Sequence, residues 1–432
     1  MVDRALINRI LIVFLSLFTS ANGYCCSMYK VTVGEKTVVG TNFDAYYLSP
    51  RIWFENAVKP GTYGAVFSGG RISGPHGFAP QSGMNQAGLC FSRLAAPTPH
   101  EKFVDMGKRK IIPNECSYLK DILHTCKTIS EVQNYISQYD QSFFPLDVFI
   151  YIEKSGKYLI VEPYSMATGN DATYVLSNFC PSVTDATYAN KLNRYRRGVE
   201  LLNSRVDTSV EFCKLMSDTM HVCRKKIGDG TLLSSNWNLA DGLITMYFYH
   251  DYTHAVQCSL NEELAKGDHF FEIPKLFPPN KEFQKLLSYK TPVTTKILNL
   301  LFLCCGVFFA FTALFFLLNL ITTKVRSGNA NLKLLLTSMG VIMAFYMYSL
   351  FTHVGIFYDQ APYKDYKFTI QNVVAFTPFL VLLSIVPLCI VNLKILKSRD
   401  WSAFSKCLLT TNNLTYLVLI YWFYYWGLYD VL

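Results

Sequence analysis

The chain has 432 residues, of which 51% are hydrophobic and 15% aromatic, a composition that excludes an ordinary soluble protein and calls for membrane spans. Its formal net charge is +9, but the basic residues are dispersed. No run has the length of a nucleic-acid-binding arm, so no nucleic-acid partner is expected.

Residues 1–25 read as a signal peptide. Arg4 and Arg9 form a positive leading region, "ILIVFLSLF" is an apolar core too short to span a bilayer, and the small polar stretch "TSANG" follows. An uncleaved anchor is the alternative. A cut after Gly23 or after Cys25 would put small residues at both positions that signal peptidase reads, leaving Tyr24 or Cys26 first. A cut after Tyr24 would put a bulky ring at the cleavage position.

A chain that begins at Cys26 has a chemical consequence. A terminal α-amine ordinarily titrates at about 7.7–8.0, so it can take the thiol proton at neutral pH, and nucleophile and base share one residue. The residues that follow, "SMYKVTVGEKTVVG", predict strands over 28–33 and 36–40 joined at Gly34-Glu35. The return strand leads into "TNFD", which brings Asn42 and Asp44 back beside the chain start, where Asp44 can bond the Cys26 amine.

Further strands are predicted over 89–94, 148–153, 158–162, 174–177 and 245–249, and helices over 118–125, 130–138, 190–203 and 210–222. Thr128 and Ser130 are both suitable caps for the second helix. Strands outnumber helices, and the helices cluster mid-chain, so residues 26–290 predict one α+β layered domain. Thirteen cysteines follow neither CxxC nor Cys/His spacing, and no GxGxxG, P-loop or HExxH occurs, so neither metal nor cofactor is expected. An exported domain lies in an oxidising compartment, which makes Cys116/Cys126 and Cys213/Cys223 candidate disulfides. Ten residues along one helix would separate the second pair too far.

After the linker "LFPPNKEFQKLLSYKTP" the composition changes to a membrane domain over 297–429. Four apolar runs, 297–321, 334–357, 373–391 and 408–429, are each long enough to cross about 30 Å of hydrocarbon. The first loop carries Lys324, Arg326 and Lys333, and the third carries Lys394, Lys397, Arg399 and Lys406 against Asp400. The second loop balances Lys364 and Lys367 with Asp359 and Asp365. This bias places loops one and three in the cytoplasm and the preceding domain outside it. Asn372, Asn392, Asn412 and Asn413 are expected to bond between helices rather than to line a transport path.

The opening "CSMYKVTVGEKTVVGTNFD" resembles that of the N-terminal-nucleophile hydrolases of the choloylglycine hydrolase, or linear amide C–N hydrolase, family. Further matches follow in order: "PRIWFENAVKPGTYGAVFSG", "PQSGMNQAGLCFSRLAAP", "LHTCKTISEVQNYI", "KYLIVEP", "YVLSNFCP", "NRYRRGVELL" and "LNEELAKGDHFFEIPKLFP". The resemblance covers nearly all of residues 26–280. It implies an αββα sandwich and cleavage of a linear, non-peptide amide without cofactor. It further implies Cys26 as nucleophile, Asp44 orienting its amine, Asn178 donating to the oxyanion and Arg194 as a buried guanidinium supporting the site. Two positions depart from the family pattern. Thr41 stands where many relatives carry arginine, and Ala95 where bile-salt-type members carry asparagine; Arg93 lies close by in sequence. Gly83, Asn85 and Gly88 are expected to form a turn. The membrane domain suggests an amphiphilic amide such as an N-acyl amide as substrate. A ligand-binding membrane receptor without turnover, or an acyltransferase using the same residues, remain the competing readings.

Overall fold

The computed structural model describes residues 26–96, 109–223, 230–322, 330–352, 354–358 and 374–429. The expected leader and the loop charges Lys324, Arg326, Asp359, Lys364, Asp365 and Lys367 lie outside these residues. The chain divides between Ser288 and Tyr289 into two compact units.

The first unit opens with the expected hairpin, β1 (Ser27–Val33) and β2 (Lys36–Ala45), turning at Gly34 with a φ of +58° that glycine adopts without strain. Next come β3 (Arg51–Glu55), β4 (Ala65–Gly69), β5 (Arg71–Ile72), β6 (Phe78–Ala79), β7 (Ser82–Asn85) and β8 (Cys90–Ala95). Helices α1 (Glu115–Thr125) and α2 (Ile129–Ile136) precede β9 (Asp147–Ile152), β10 (Tyr158–Glu162), β11 (Ser165–Gly169) and β12 (Thr173–Leu176). A second helical group follows: α3 (Ala186–Lys191), α4 (Asn193–Ser204) and α5 (Val210–Thr219). The unit closes with β13 (Gly230–Asn238), β14 (Leu243–Phe248), β15 (Asp251–Ser259), α6 (Leu260–Leu264), β16 (His269–Glu272) and α7 (Lys281–Ser288).

These strands build two antiparallel sheets, one ordered β12-β1-β2-β13-β14-β15 and the other β11-β10-β9-β8-β7-β4-β3-β16. Because side chains alternate faces along a strand, each sheet can be split into an outer and an inner row. Phe67, Phe91, Tyr151, Leu159 and Val161 of the larger sheet pack with α1 and α2. Tyr29, Val31, Val38 and Val175 of the smaller sheet pack with α4 and α5. The intervening residues, Met28 and Lys30 on β1 and Cys90, Ser92 and Leu94 on β8, are just as buried. The two inner rows therefore cover each other. The result is a helix–sheet–sheet–helix layering, an α+β arrangement with mixed polar and apolar contacts at its centre.

Local chemistry explains the elements. Thr128, rather than Ser130, caps α2, and Thr128 and Glu131 form a reciprocal capping box. β2 runs past its expected end at Gly40 because "TNFDA" goes on pairing with β13, Asn42 opposite Ser234 and Asp44 opposite Thr231. β13 carries no apolar alternation in "LSSNWN", yet several of its polar groups are buried and bonded to neighbouring elements. Ser234 donates to Asn42, and Asn236 accepts from Tyr29. At Gly40 any Cβ would meet the Tyr29 ring at 2.0 Å, so the ring lies directly over the backbone there.

The disulfide expectation is corrected. Cys116, Cys126 and Cys213 are free thiols, so neither expected pair is joined. Cys116 starts α1 and Cys126 ends it, so the first pair is held apart by a helix length as well. Cys213 and Cys223 lie in and beyond α5.

Lys30 is buried between the sheets, donating from Nζ to the Asp171 carbonyl and lying 5.5 Å from the Tyr158 ring centroid. Burial lowers its pKa from 10.5 to about 8, with Asp171 opposing the shift. Between those values the unfolded chain binds a proton that the folded chain does not, so this group makes stability climb with pH. Below about 8 both states are protonated and the full burial cost applies. The stability gained by Lys30→Met should therefore shrink by roughly 1–3 kcal/mol from about pH 7 to about pH 10. Denaturant unfolding of the full chain at both pH values measures it; equal differences at the two would contradict the assignment.

The second unit contains α8 (Lys296–Thr322), α9 (Ala330–Thr352), α10 (Thr377–Lys397) and α11 (Ala403–Tyr425). Three of these, α8, α9 and α10, are long and apolar enough to cross a membrane, not the four expected. α11 has sufficient length, with 23 residues, but Lys406, Thr410, Thr411, Asn412, Asn413 and Thr415 dilute its apolar character. α8 and α9 approach closely, a Cβ on Gly340 meeting Ala313 Cβ and the Phe309 carbonyl at 3.0 Å. Asn392 bonds Thr410 at 3.2 Å and Asn413 donates to the Leu388 carbonyl at 3.2 Å, both tying α10 to α11. Asn412 bonds within its own helix, to the Leu408 carbonyl, and Asn372 lies outside the described residues.

Candidate active site

The register of the first hairpin sets Ser27 opposite Asn42, so Cys26 and Asp44 both lie at the same end of the smaller sheet. Cys26 is 3% exposed and belongs to the inner row with Met28. Asn42 and Asp44 project to the helix side. Asn42 is fixed there by donation to the Ser217 carbonyl of α5 at 2.9 Å and by accepting from Ser234 at 2.8 Å.

The side chain that gathers the site is Arg194, near the start of α4. Its Nε donates to Ser177 Oγ at 2.8 Å, its Nη2 to Asn178 Oδ1 at 2.5 Å, and its Nη1 lies 3.4 Å from Asp44 Oδ2. The rigid guanidinium fork suits such a three-way grip better than a lysine point charge could. Ser177 in turn donates to the Cys26 carbonyl at 3.3 Å. Asp44, whose side chain is 0% exposed, also accepts from the Thr231 hydroxyl at 2.6 Å. The four residues singled out in the sequence, Cys26, Asp44, Asn178 and Arg194, thus form one hydrogen-bonded cluster, linked partly through Ser177.

Arg194 also settles how the Asn178 carboxamide points. Its oxygen faces the guanidinium, so its nitrogen is turned the other way and donates to the Ala95 carbonyl at 2.7 Å. A carboxamide nitrogen presented across the gap between the sheets is a suitable donor to an oxyanion. Ala95, which departs from the asparagine of bile-salt-type members, accepts this bond through its backbone carbonyl and supplies no side-chain donor.

Thr41 and Arg93 can be placed as well. Thr41 Oγ1 bonds Ser235 Oγ at 3.0 Å and accepts from Trp237 Nε1 at 3.4 Å, so its hydroxyl is engaged along β13. The Arg93 side chain points to the helix side of the larger sheet. It pairs with Asp147 at 2.8 and 2.7 Å and with Glu115 at 2.7 Å. Burial alone would lower the Arg93 pKa, but these two carboxylates outweigh it and raise it. Glu115 is held below the ordinary carboxylate range against its own burial, by Arg93 and Arg71. Arg93 cannot stand in for a cation at residue 41.

Within "GMNQAGL" the expectation is corrected for Gly83, which lies in β7 paired with Phe67 and Phe91, while the turn runs from Asn85 to Gly88. Asn85 Oδ1 accepts from the amides of Ala87 and Leu89 at 3.1 and 3.0 Å, while Nδ2 donates to the carbonyls of Leu123 and Cys126, both at 2.7 Å. Gly88 follows at a φ of +79°.

Three contributors went unnoticed in the sequence. Ser177 is adjacent to Asn178, but a serine before a turn carries no distinguishing pattern. Thr231 lies in the obscured strand β13. Gln81 starts the "QSGMN" stretch, and its Nε2 lies 3.7 Å from Cys26 Sγ. Among the described residues no group of three or more His, Cys, Asp or Glu side chains could hold a metal ion.

No family model matches the chain, and no curated protein matches it. Among solved structures, an arginine-to-leucine variant of conjugated bile acid hydrolase from Clostridium perfringens is similar at 16% identity and a TM-score of 0.45, covering 59% of this chain and 98% of that one. A cysteine-to-alanine mutant of conjugated bile acid hydrolase from the same organism aligns at 15% identity and a TM-score of 0.44, covering 60% and 97%. Penicillin V acylase from Agrobacterium tumefaciens aligns at 13% identity and a TM-score of 0.39, covering 52% and 83%.

Proposed function

We propose that this protein is a membrane-tethered cysteine amidohydrolase that cleaves a linear, non-peptide amide through an acyl-thioester on Cys26. The observation that carries the reading is the convergence of Arg194 on Asp44, Asn178 and the Ser177 hydroxyl that holds the Cys26 carbonyl. The ordered motif resemblance over residues 26–280 supports the same assignment.

In this reading, removal of residues 1–25 frees the Cys26 amine. The amine takes the thiol proton, and the thiolate attacks the substrate carbonyl. Asn178 Nδ2 bonds the tetrahedral oxyanion. Collapse expels the amine, which leaves with the proton held by the Cys26 nitrogen, and water then attacks the thioester to release the acid. Asp44 and Arg194 act through position, fixing the chain start and the Asn178 amide. The three apolar helices hold the catalytic unit at a membrane, with loop charges that favour the non-cytoplasmic side for it. An amphiphilic N-acyl amide is the substrate class that suits such tethering.

The test joins processing to activity. Purified from membranes, the mature chain should begin at Cys26 and hydrolyse members of an N-acyl amide panel. A variant whose cut is forced after Gly23 would keep the Cys26 nitrogen in a peptide bond and should be inactive. Full activity in a chain that begins at Tyr24 would overturn the reading. Adding amine acceptors and assaying for new amides by mass spectrometry separates hydrolysis from acyl transfer.

A further inference from the structure

The larger sheet meets the nucleophile through Gln81, a side chain to which the motif resemblance gives no role. Gln81 Nε2 lies 3.7 Å from Cys26 Sγ and also donates to the Arg93 carbonyl. A carboxamide nitrogen carries two hydrogens, so with one committed to Arg93 the other serves the sulfur.

The placement is built from several sides. The Gln81 amide donates to the Ser68 carbonyl at 2.7 Å, and the Gln81 carbonyl accepts from the Arg93 amide at 2.8 Å. The Arg93 backbone that orients the carboxamide is itself pinned by the buried Arg93 pairs with Asp147 and Glu115, and Glu115 also binds Arg71 at 2.6 Å. Arg71 sits on β5, at the start of the segment that ends at Gln81. The ion-pair network on the helix side of the sheet therefore fixes a donor on its inner side. Thr41 offers nothing comparable, its hydroxyl being engaged by Ser235 and Trp237.

We propose that Gln81 is a catalytic residue: its Nε2–H donates to the Cys26 thiolate and stabilises it relative to the thiol. This rests on the reading of Cys26 as nucleophile. The proton passes from Sγ to the Cys26 amine, and Gln81 neither gains nor loses one. An amide has no basic site that could compete for that proton, so it favours the anion by hydrogen bonding alone.

The experiment titrates the thiolate by its ultraviolet absorbance in the full mature chain, subtracting the Cys26→Ala signal, and requires no substrate. Gln81→Leu should raise the midpoint by about one to two pH units. Gln81→Glu, nearly isosteric, should raise it further, because a carboxylate would face the thiolate. It also carries the test alone if the leucine variant does not fold. A midpoint unchanged in a folded variant overturns the proposal, since a merely structural role would not move it. The outcome is separable from that of the amidase reading. A shifted midpoint in a chain that cleaves no amide would refute the amidase and keep Gln81. Cys26-dependent hydrolysis with an unshifted midpoint would do the reverse.

Discussion

Replacing Cys26 with alanine is expected to lower amide hydrolysis by at least about 10³-fold while leaving the protein folded, as loss of a nucleophile does elsewhere. Cys26→Ser is the sharper test. It keeps the α-amine, the backbone bond from Ser177 and nearly the same volume, and alters only the attacking atom. A hydroxyl is a far weaker nucleophile than a thiol at neutral pH, because its proton is much harder to remove. Serine at this position should therefore retain processing and stability yet lose most turnover. Steady-state rates on the amide panel, with intact mass to confirm the cut, provide the measurement. Hydrolysis by Cys26→Ser within tenfold of the parent would remove Cys26 from the mechanism.

The second large effect concerns Arg194, whose side chain is 10% exposed beside a fully buried Asp44. Arg194→Met should destabilise the protein by about 3–5 kcal/mol, because it removes a cation from beside a buried carboxylate. It should also cost roughly 10²–10³-fold in kcat, since the Asn178 amide loses the partner that turns its nitrogen inward. Arg194→Lys separates the two consequences. Lysine restores a charge for Asp44 but cannot reach Ser177, Asn178 and Asp44 together. Much of the stability should return, and little of the activity. Full activity in the lysine variant would show that charge alone suffices and that the forked grip does no catalytic work.

The sequence made the opening hairpin legible because its signal is local. The alternation in "MYKVTV" and the glycine turn predict the hairpin without reference to the rest of the protein. The same applies to α2, where Thr128 and Glu131 satisfy the first-turn amides between themselves. Local patterns also failed in a consistent way. β13 was hidden because burial did not require it to be apolar: Ser234 and Asn236 bond to Asn42 and Tyr29, 192 and 207 positions away. Gln81 carries no local signal, since its significance depends on a sulfur 55 positions earlier. The fourth predicted span illustrates the converse. Its length reads as membrane-spanning, while the polar residues of its first half, of which Thr410 and Asn413 bond to α10, leave three sufficiently apolar helices.

The sequence by itself determined the division into an α+β unit and an apolar helical unit, the opening hairpin, and which residue types could supply a nucleophile, a base and an oxyanion donor. These follow from periodicity, hydropathy and pKa, properties that a residue carries wherever it is placed. The tertiary structure alone decided that Arg194 grips Asp44 and Asn178, that Arg93 is drawn away to Asp147 and Glu115, and that Gln81 faces Cys26. Buried polar atoms must find partners, and in a layered fold those partners come from strands and helices remote in sequence.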